Sequence, residues 1–259
     1  MSERSPINPV DVQWERWSSE LQPSLIAVVR YRINSADQSR FYGLLSLTEK
    51  ERANRFVQLA DKQRFIAGRG LLRLVAGQLT QTPPNQIDLL TGPFGKPELV
   101  LPVASQVDWQ VNVSHAGEWV VLAVGYVPVG IDVEWINPDW PYQDLIPIMF
   151  DADDQACLAA SADPRTLFYT FWTRKESLLK ATGEGLINDL TYISSSKGIY
   201  KVESDQLAGV ETWRTMSFLV SDGYVGAVAC PEGVTVSRFF TIDTTQLDFA
   251  YSPHNGAEN

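Results

Sequence analysis

A chain of 259 residues with a net charge of -10 is too acidic for wholesale binding to nucleic acid or to an anionic membrane. Its 44% hydrophobic content and eight tryptophans are ample for a packed core, in one large domain or two moderate ones. Cys157 and Cys230 sit far apart without metal spacing, so free thiols in a reducing cytoplasm are expected.

The opening stretch, MSERSPINPVDVQWERW, holds no apolar signal core, and no run is long and apolar enough to span a bilayer. Residues 1–23 read as a lead-in, and a cytoplasmic protein is expected. Ser24–Arg32 (SLIAVVRYR) predicts a strand from its β-branched apolar run. Ser46-Leu47-Thr48-Glu49 fits a capping box and predicts a helix to about Leu59. From Asp61 a second helix places Phe65, Leu72, Ala76 and Leu79 on one face and ends before Thr82-Pro83-Pro84. Between Glu49 and Arg73, seven basic residues (Lys50, Arg52, Arg55, Lys62, Arg64, Arg69, Arg73) oppose three acids (Glu49, Glu51, Asp61), a local balance of +4. A solvated helix surface and a local phosphate-binding patch both fit that balance. Arg69 lies one turn before Leu72, at the apolar edge, where a partly buried guanidinium needs an anionic partner.

Thr91–Pro97 (TGPFGKP) reads as a tight turn, with Lys96 held between Gly95 and Pro97. Strands are expected at Trp109–Ser114, Glu118–Gly125 and Val127–Trp135, the first two joined by Ser114-His115-Ala116-Gly117. His115 is one of two histidines; the other, His254, lies in the polar tail. A histidine at a strand end is as compatible with a structural hydrogen bond as with chemistry. In the third strand Asp132 and Glu134 alternate with Ile131 and Val133, so both carboxylates share one face. Like charges so placed repel unless a cation lies between them or water solvates the edge. Magnesium suits such a pair, because it takes hard oxygen ligands and substrate phosphates and needs no His or Cys cluster.

A short helix is expected at about Asp151–Ala160, then an amphipathic helix over Phe168–Leu186, ended by Gly183. Trp172, Glu176 and Lys180 follow at intervals of four and share a face. They form a possible site, or a solvated Glu–Lys pair beside a core tryptophan. Strands at about Ile199–Glu203, Trp213–Val220, Tyr224–Cys230 and Val234–Ile242 complete two halves that mix helices with antiparallel-looking strands. The tail after Phe249 reads as disordered. There is no sequence repeat, low-complexity linker, G-x-G-x-x-G or P-loop pattern.

G-K-P at 95–97, N-V-S-H-A-G at 112–117, G-I-D-V-E at 130–134 and W-T-R-K-E-S-L-L-K at 172–180 follow one another, and G-E-G-L at 183–186 continues the last. Together these motifs resemble the Sfp-type 4′-phosphopantetheinyl transferases over roughly Leu47–Leu186. Ala116 stands where a second serine is common, and Glu184 where a lysine is common. The resemblance implies transfer of phosphopantetheine from coenzyme A to a serine of an apo acyl or peptidyl carrier protein, releasing adenosine 3′,5′-bisphosphate. It implies an α/β (α+β) fold of two similar halves related by a pseudo-twofold, each an antiparallel-rich sheet with helices, and a ligand cleft between them. The boundary would fall near Gly125–Val129, giving halves 1–126 and 127–259, and the length favours a monomer.

By the same resemblance, Asp132, Glu134 and Glu176 hold Mg²⁺ (or Mn²⁺); beside it, Glu176 can take the serine proton, directly or through a metal-bound water, and Lys180 can stabilise charge on the pyrophosphate or the leaving group. Lys50, Arg52, Arg69, Lys96, Pro97, Ser114, His115, Asp132, Lys175 and Lys180 are implied as coenzyme A contacts. Two other functions fit the residues: a non-catalytic module that binds coenzyme A or a carrier protein, and a metal-dependent phosphohydrolase. Where the phosphopantetheine goes (carrier serine, water, or nowhere) separates the three.

Overall fold

Alternation of period two along the strands sorts the chain into two sheets that share an apolar interior. The computed structural model describes residues 7–21, 25–92, 96–100, 108–183, 190–201 and 212–244. Expectations for Gly95, the G-E-G-L continuation beyond Gly183, the end of the 199–203 strand and the C-terminal tail lie outside the described residues. The strands are β1 (Trp14–Arg16), β2 (Leu25–Arg32), β3 (Asp88–Thr91), β4 (Pro97–Val100), β5 (Gln110–Ala116), β6 (Trp119–Gly125), β7 (Gly130–Trp135), β8 (Ile199–Lys201), β9 (Thr212–Ser221), β10 (Tyr224–Pro231) and β11 (Thr235–Thr241). The helices are α1 (Gln38–Leu44), α2 (Leu47–Asn54), α3 (Leu59–Thr80), α4 (Ile146–Met149), α5 (Ala152–Ala160) and α6 (Pro164–Thr182).

One sheet runs β1-β11-β2-β6-β5 and the other β7-β10-β9-β8, while β3 and β4 form a separate hairpin. In β2, Ile26 and Val28 face the core between the sheets, and Ala27, Val29 and Tyr31 face α3. In β10, Val228 and Cys230 face the shared core, and Val225 and Ala229 face α6. Each long helix therefore covers the outer face of its own sheet. The mixed α/β architecture agrees with the fold expected from sequence. Two features differ. β11 pairs in parallel with both β1 and β2, where antiparallel strands were expected. That strand also comes from the second half of the sequence, so the chain returns to complete the first sheet.

The capping box forms as read: Ser46 Oγ accepts from Glu49 N, and Glu49 Oε2 accepts from Ser46 N. Helix α6 begins four residues before the predicted start. Asp163 caps it by accepting from Thr166 N, and Pro164 supplies a first-turn residue whose missing N–H costs nothing there. Gly183 ends it in the left-handed conformation, φ 74°.

The edges of the two sheets, β5 and β7, lie side by side, and side chains link them. Asn112 Oδ1 accepts from Ile131 N at 2.9 Å, and Ser114 Oγ donates to Asp132 Oδ1 at 2.8 Å. On its other side β7 lies directly against α6. A Cβ added at Gly130 would fall 2.0 Å from Ser177 O and 2.3 Å from Ala181 N, both helix backbone. Backbone has no alternative rotamer, so Gly130→Ala must push the helix off the strand. The expected cost is about 3 kcal/mol, read as a melting temperature lower by roughly 6–12 °C. An unchanged melting temperature would contradict this close approach.

Candidate active site

The acids expected to act together meet where β7 faces α6. Ile131 and Val133 point into the inter-sheet core, which leaves Asp132 and Glu134 on the helix side. From α6, Trp172, Glu176 and Lys180 face them, as the spacing of four requires. Lys180 Nζ lies 2.6 Å from Asp132 Oδ1, which also accepts from Ser114 Oγ. Lys180 Nζ itself donates to Ser114 Oγ at 3.0 Å. Trp172 Nε1 donates to Glu134 Oε1 at 3.2 Å. Asp132 Oδ2 and Glu176 Oε1 are buried and have no hydrogen-bond partner among the described residues. Burial, then repulsion from Asp132, push the Glu134 carboxyl up to about 7, although the Trp172 bond opposes this. The same two causes, in the same order, raise Glu176.

The residues expected to bind coenzyme A divide into several groups. Arg52 and Arg69 converge on Phe65, with their guanidinium carbons 5.1 and 5.8 Å from the ring centre. Arg69 is buried, and the anionic partner it required is Glu49, at 3.8 Å. Glu49 also pairs with buried Arg73 at 2.7 Å. Sequence reasoning missed this second role of the capping-box glutamate, although its place in the +4 segment was a signal. Lys50 lies over the Tyr42 ring, 5.6 Å from its centre. His115 is exposed beside Gly68 of α3, and Ser114 is the partner of Asp132. Pro97 opens β4 and is buried. Two lysines differ from expectation. Lys96 donates to backbone carbonyls at the end of α6, at 2.9 Å from Lys180 O. Lys175 is wholly buried, donates to Leu190 O at 2.9 Å and also to Ile193 O, and pairs with Asp154 at 3.7 Å. It sits one residue before Glu176, about 100° round the helix, and points into the core, so the structure does not bring it to the acids.

A cavity of about 810 Å³ reaches the acids at Glu134. Asp61 and Arg64 of α3, the His115–Gly117 turn, Glu134 and Trp172 line it, and Trp140, Leu145, Met149 and Phe168 make its far wall apolar. That volume suits a ligand with one polar and one apolar end.

Two family models match in tandem. The 4′-phosphopantetheinyl transferase N-terminal model covers residues 32–126, and the 4′-phosphopantetheinyl transferase superfamily model covers 128–229. The 4′-phosphopantetheinyl transferase HetI of Nostoc sp. is 32% identical over 71% of this chain and 78% of its own length. A putative 4′-phosphopantetheinyl transferase of Synechocystis sp. is 32% identical over 63% of this chain and 67% of its own. Sfp of Bacillus subtilis is 30% identical over 60% and 67%. The chain belongs to the 4′-phosphopantetheinyl transferase family. It is an enzyme that transfers phosphopantetheine to carrier proteins, and neither the non-catalytic module nor the phosphohydrolase is favoured. Among the described residues, no helix is long and apolar enough to cross a membrane.

The transferase's acids fit the metal expected of it. Among the described residues, no three His, Cys, Asp or Glu groups already stand in a metal-binding arrangement. The donor set is nonetheless hard and anionic: three carboxylates, two of them with buried unpartnered oxygens. Lys180 stands beside Asp132 as the only positive charge paired with them among the described residues.

The raised Glu134 has a signed consequence for the metal-free transferase. With its folded pKa near 7, the neutral form is favoured by folding. Its stabilising effect is complete below the unfolded value of about 4.5 and is lost as pH rises through 7. Glu134→Gln keeps the acceptor for Trp172 and does not titrate. In EDTA, the variant should match wild type near pH 4.5 and exceed it by on the order of 2 kcal/mol above pH 7. Denaturant melts across that range check this, and a gain independent of pH would contradict it.

Proposed function

We propose that the three carboxylates and Lys180, meeting between β7 and α6 at the edge of the cavity, are the transferase's catalytic centre. That juxtaposition is the observation that supports the reading. The donor would be coenzyme A. Asp132, Glu134 and Glu176 would hold Mg²⁺ or Mn²⁺, which when bound neutralises the substrate's pyrophosphate. Phosphoryl-type transfer needs little covalent chemistry from the protein, so positioning and charge carry it. The carrier serine oxygen attacks the phosphorus on the pantetheine side of the pyrophosphate. The bond from that phosphorus to the bridging oxygen breaks, and adenosine 3′,5′-bisphosphate leaves with the electron pair.

Glu176 takes the serine proton. Burial raises this carboxyl toward the working range of a general base, and its Oε1 is unpartnered. Lys180 pairs with Asp132 before substrate enters and can turn to charge developing on the pyrophosphate. Arg52 and Arg69 about Phe65, with Lys50 nearby, serve the nucleotide end and its 3′-phosphate. His115 at the cavity rim contacts phosphate. The apolar wall of Trp140, Leu145 and Met149 suits the uncharged pantetheine arm.

The division at 126/127 and the pseudo-twofold belong to the same reading. They are supported by the way α3 and α6 each cover one sheet. So do a monomer, which the chain length favours, and a cytoplasmic location, supported by the free thiols of Cys157 and Cys230.

Glu176→Gln keeps volume and helix propensity but removes the charge. It should fold normally and lose transfer by about two orders of magnitude or more. Excess EDTA should abolish wild-type transfer. Mass spectrometry of an apo carrier protein incubated with coenzyme A and the enzyme reads both. Full transfer by Glu176→Gln with a modestly lower melting temperature would make α6 scaffold.

A further inference from the structure

Lys96 is the described residue whose position departs most from its expected role. It belongs to the first sequence half, yet its ammonium is committed to the second. Lys96 Nζ donates to Lys180 O at 2.9 Å, with longer bonds to Val129 O at 3.4 Å and Ala181 O at 3.5 Å. Three donors on one ammonium thus meet three backbone carbonyls. Two of these belong to the last turn of α6, where intrahelical donors run out and the helix dipole is negative. The third immediately precedes Gly130, the point where β7 lies against the α6 backbone.

We propose that Lys96 is a positioning residue that fastens the end of α6 to the start of β7 and so fixes the spacing of the catalytic acids. The two elements it joins carry the whole set. Asp132 and Glu134 follow Gly130 on β7, and Glu176 lies one turn before Lys180 on α6. Lys180 is held twice: its carbonyl by Lys96, and its ammonium by Asp132. The Lys96 backbone is itself tied to the hairpin. Gly92 N donates to Lys96 O at 2.8 Å, and Pro97 pairs with Thr91 at the start of the β3–β4 hairpin. A nucleotide contact would need the ammonium free to face an anion. Here it is turned inward, and burial lowers its pKa, as expected of an ammonium taken from water.

This inference rests on the reading of Asp132, Glu134 and Glu176 as cation ligands, and one set of measurements separates the two. The full-length wild type, Lys96→Met and Lys96→Arg are compared for kcat, for KM toward coenzyme A, and for Mn²⁺ affinity by electron paramagnetic resonance without coenzyme A. Lys96→Met should bind Mn²⁺ about tenfold more weakly and lower kcat by about the same factor, the usual scale for a residue supporting metal ligands. Its KM for coenzyme A should stay within about twofold, since no ground-state contact is lost. Lys96→Arg, which keeps charge and donors, should recover most of both losses. A raised KM with unchanged kcat and Mn²⁺ affinity would overturn the inference in favour of a nucleotide contact. A lower melting temperature alone would leave Lys96 a helix cap without influence on the acids, and also overturn it. No Mn²⁺ binding by wild type would instead sink the reading of the acids, with the split between kcat and KM still deciding for Lys96. Should Lys96→Met fail to fold, Lys96→Gln, with a shorter neutral donor, replaces it under the same criteria.

Discussion

Direct backbone contact between α6 and β7 at Gly130 is the constraint on which the rest of this structure depends. A strand normally packs against a helix through side chains on both. Here one partner contributes none, so helix and strand approach until a single methyl group would fall 2.0 Å from Ser177 O. That approach brings carboxylates on two different elements into one another's field. Asp132 and Glu134 have nowhere else to point, because their neighbours Ile131 and Val133 are fixed in the inter-sheet core. Glu176 faces them while Lys175, about 100° round α6, is bound to Asp154 in the core. Separating that wholly buried pair would cost about 3–5 kcal/mol, so the helix has no freedom to rotate.

Charges brought together in this way must be balanced within the fold. The acids have Lys180, whose bond to Asp132 is far from an exposed ion pair: Asp132 is only 5% accessible at its side chain and Lys180 30%. Such a pair is worth more than the zero to 1 kcal/mol or so of a surface bridge. One lysine does not balance three carboxylates, and repulsion from Asp132 adds to burial in raising Glu134 and Glu176. The basic segment is arranged with the signs reversed. Arg69 and Arg73 are buried, and Glu49 stands between them as counter-ion. Both charged surfaces of the protein are therefore partly neutralised from within and keep residual charge of opposite sign, negative at the acids and positive about Phe65. A ligand carrying a dication at one end and a phosphate at the other complements both.

The sequence already reveals local chemistry and period. Alternation placed Asp132 and Glu134 on one face, spacing of four placed Trp172, Glu176 and Lys180 together, and Ser46 with Glu49 marked a helix start. Each signal is a pattern within one element. What was not readable depends on contacts between elements distant in the chain. The return of β11 to the first sheet, parallel to β2, packs Phe239 and Phe240 on opposite faces, and nothing local encodes the strand's direction. Lys175 was implied as a coenzyme A contact, and only the partner Asp154, 21 positions away, reveals it as core. Lys96 read only as a tight-turn residue and an implied coenzyme A contact, because the α6 carbonyl it serves lies 84 positions on. Asn112, which ties β5 to β7 through Ile131 N, gave no signal beyond its place in a motif.

The proposal on which the rest turns is that Asp132, Glu134 and Glu176, between β7 and α6, hold a divalent cation. Anomalous diffraction from crystals grown with coenzyme A and Mn²⁺ tests it most directly. The account predicts a single manganese peak in contact with carboxylate oxygens of Asp132, Glu134 and Glu176, with Lys180 Nζ moved away from Asp132 Oδ1 toward the pyrophosphate. Coenzyme A bound with no manganese at these acids, and Lys180 still paired with Asp132, would contradict it.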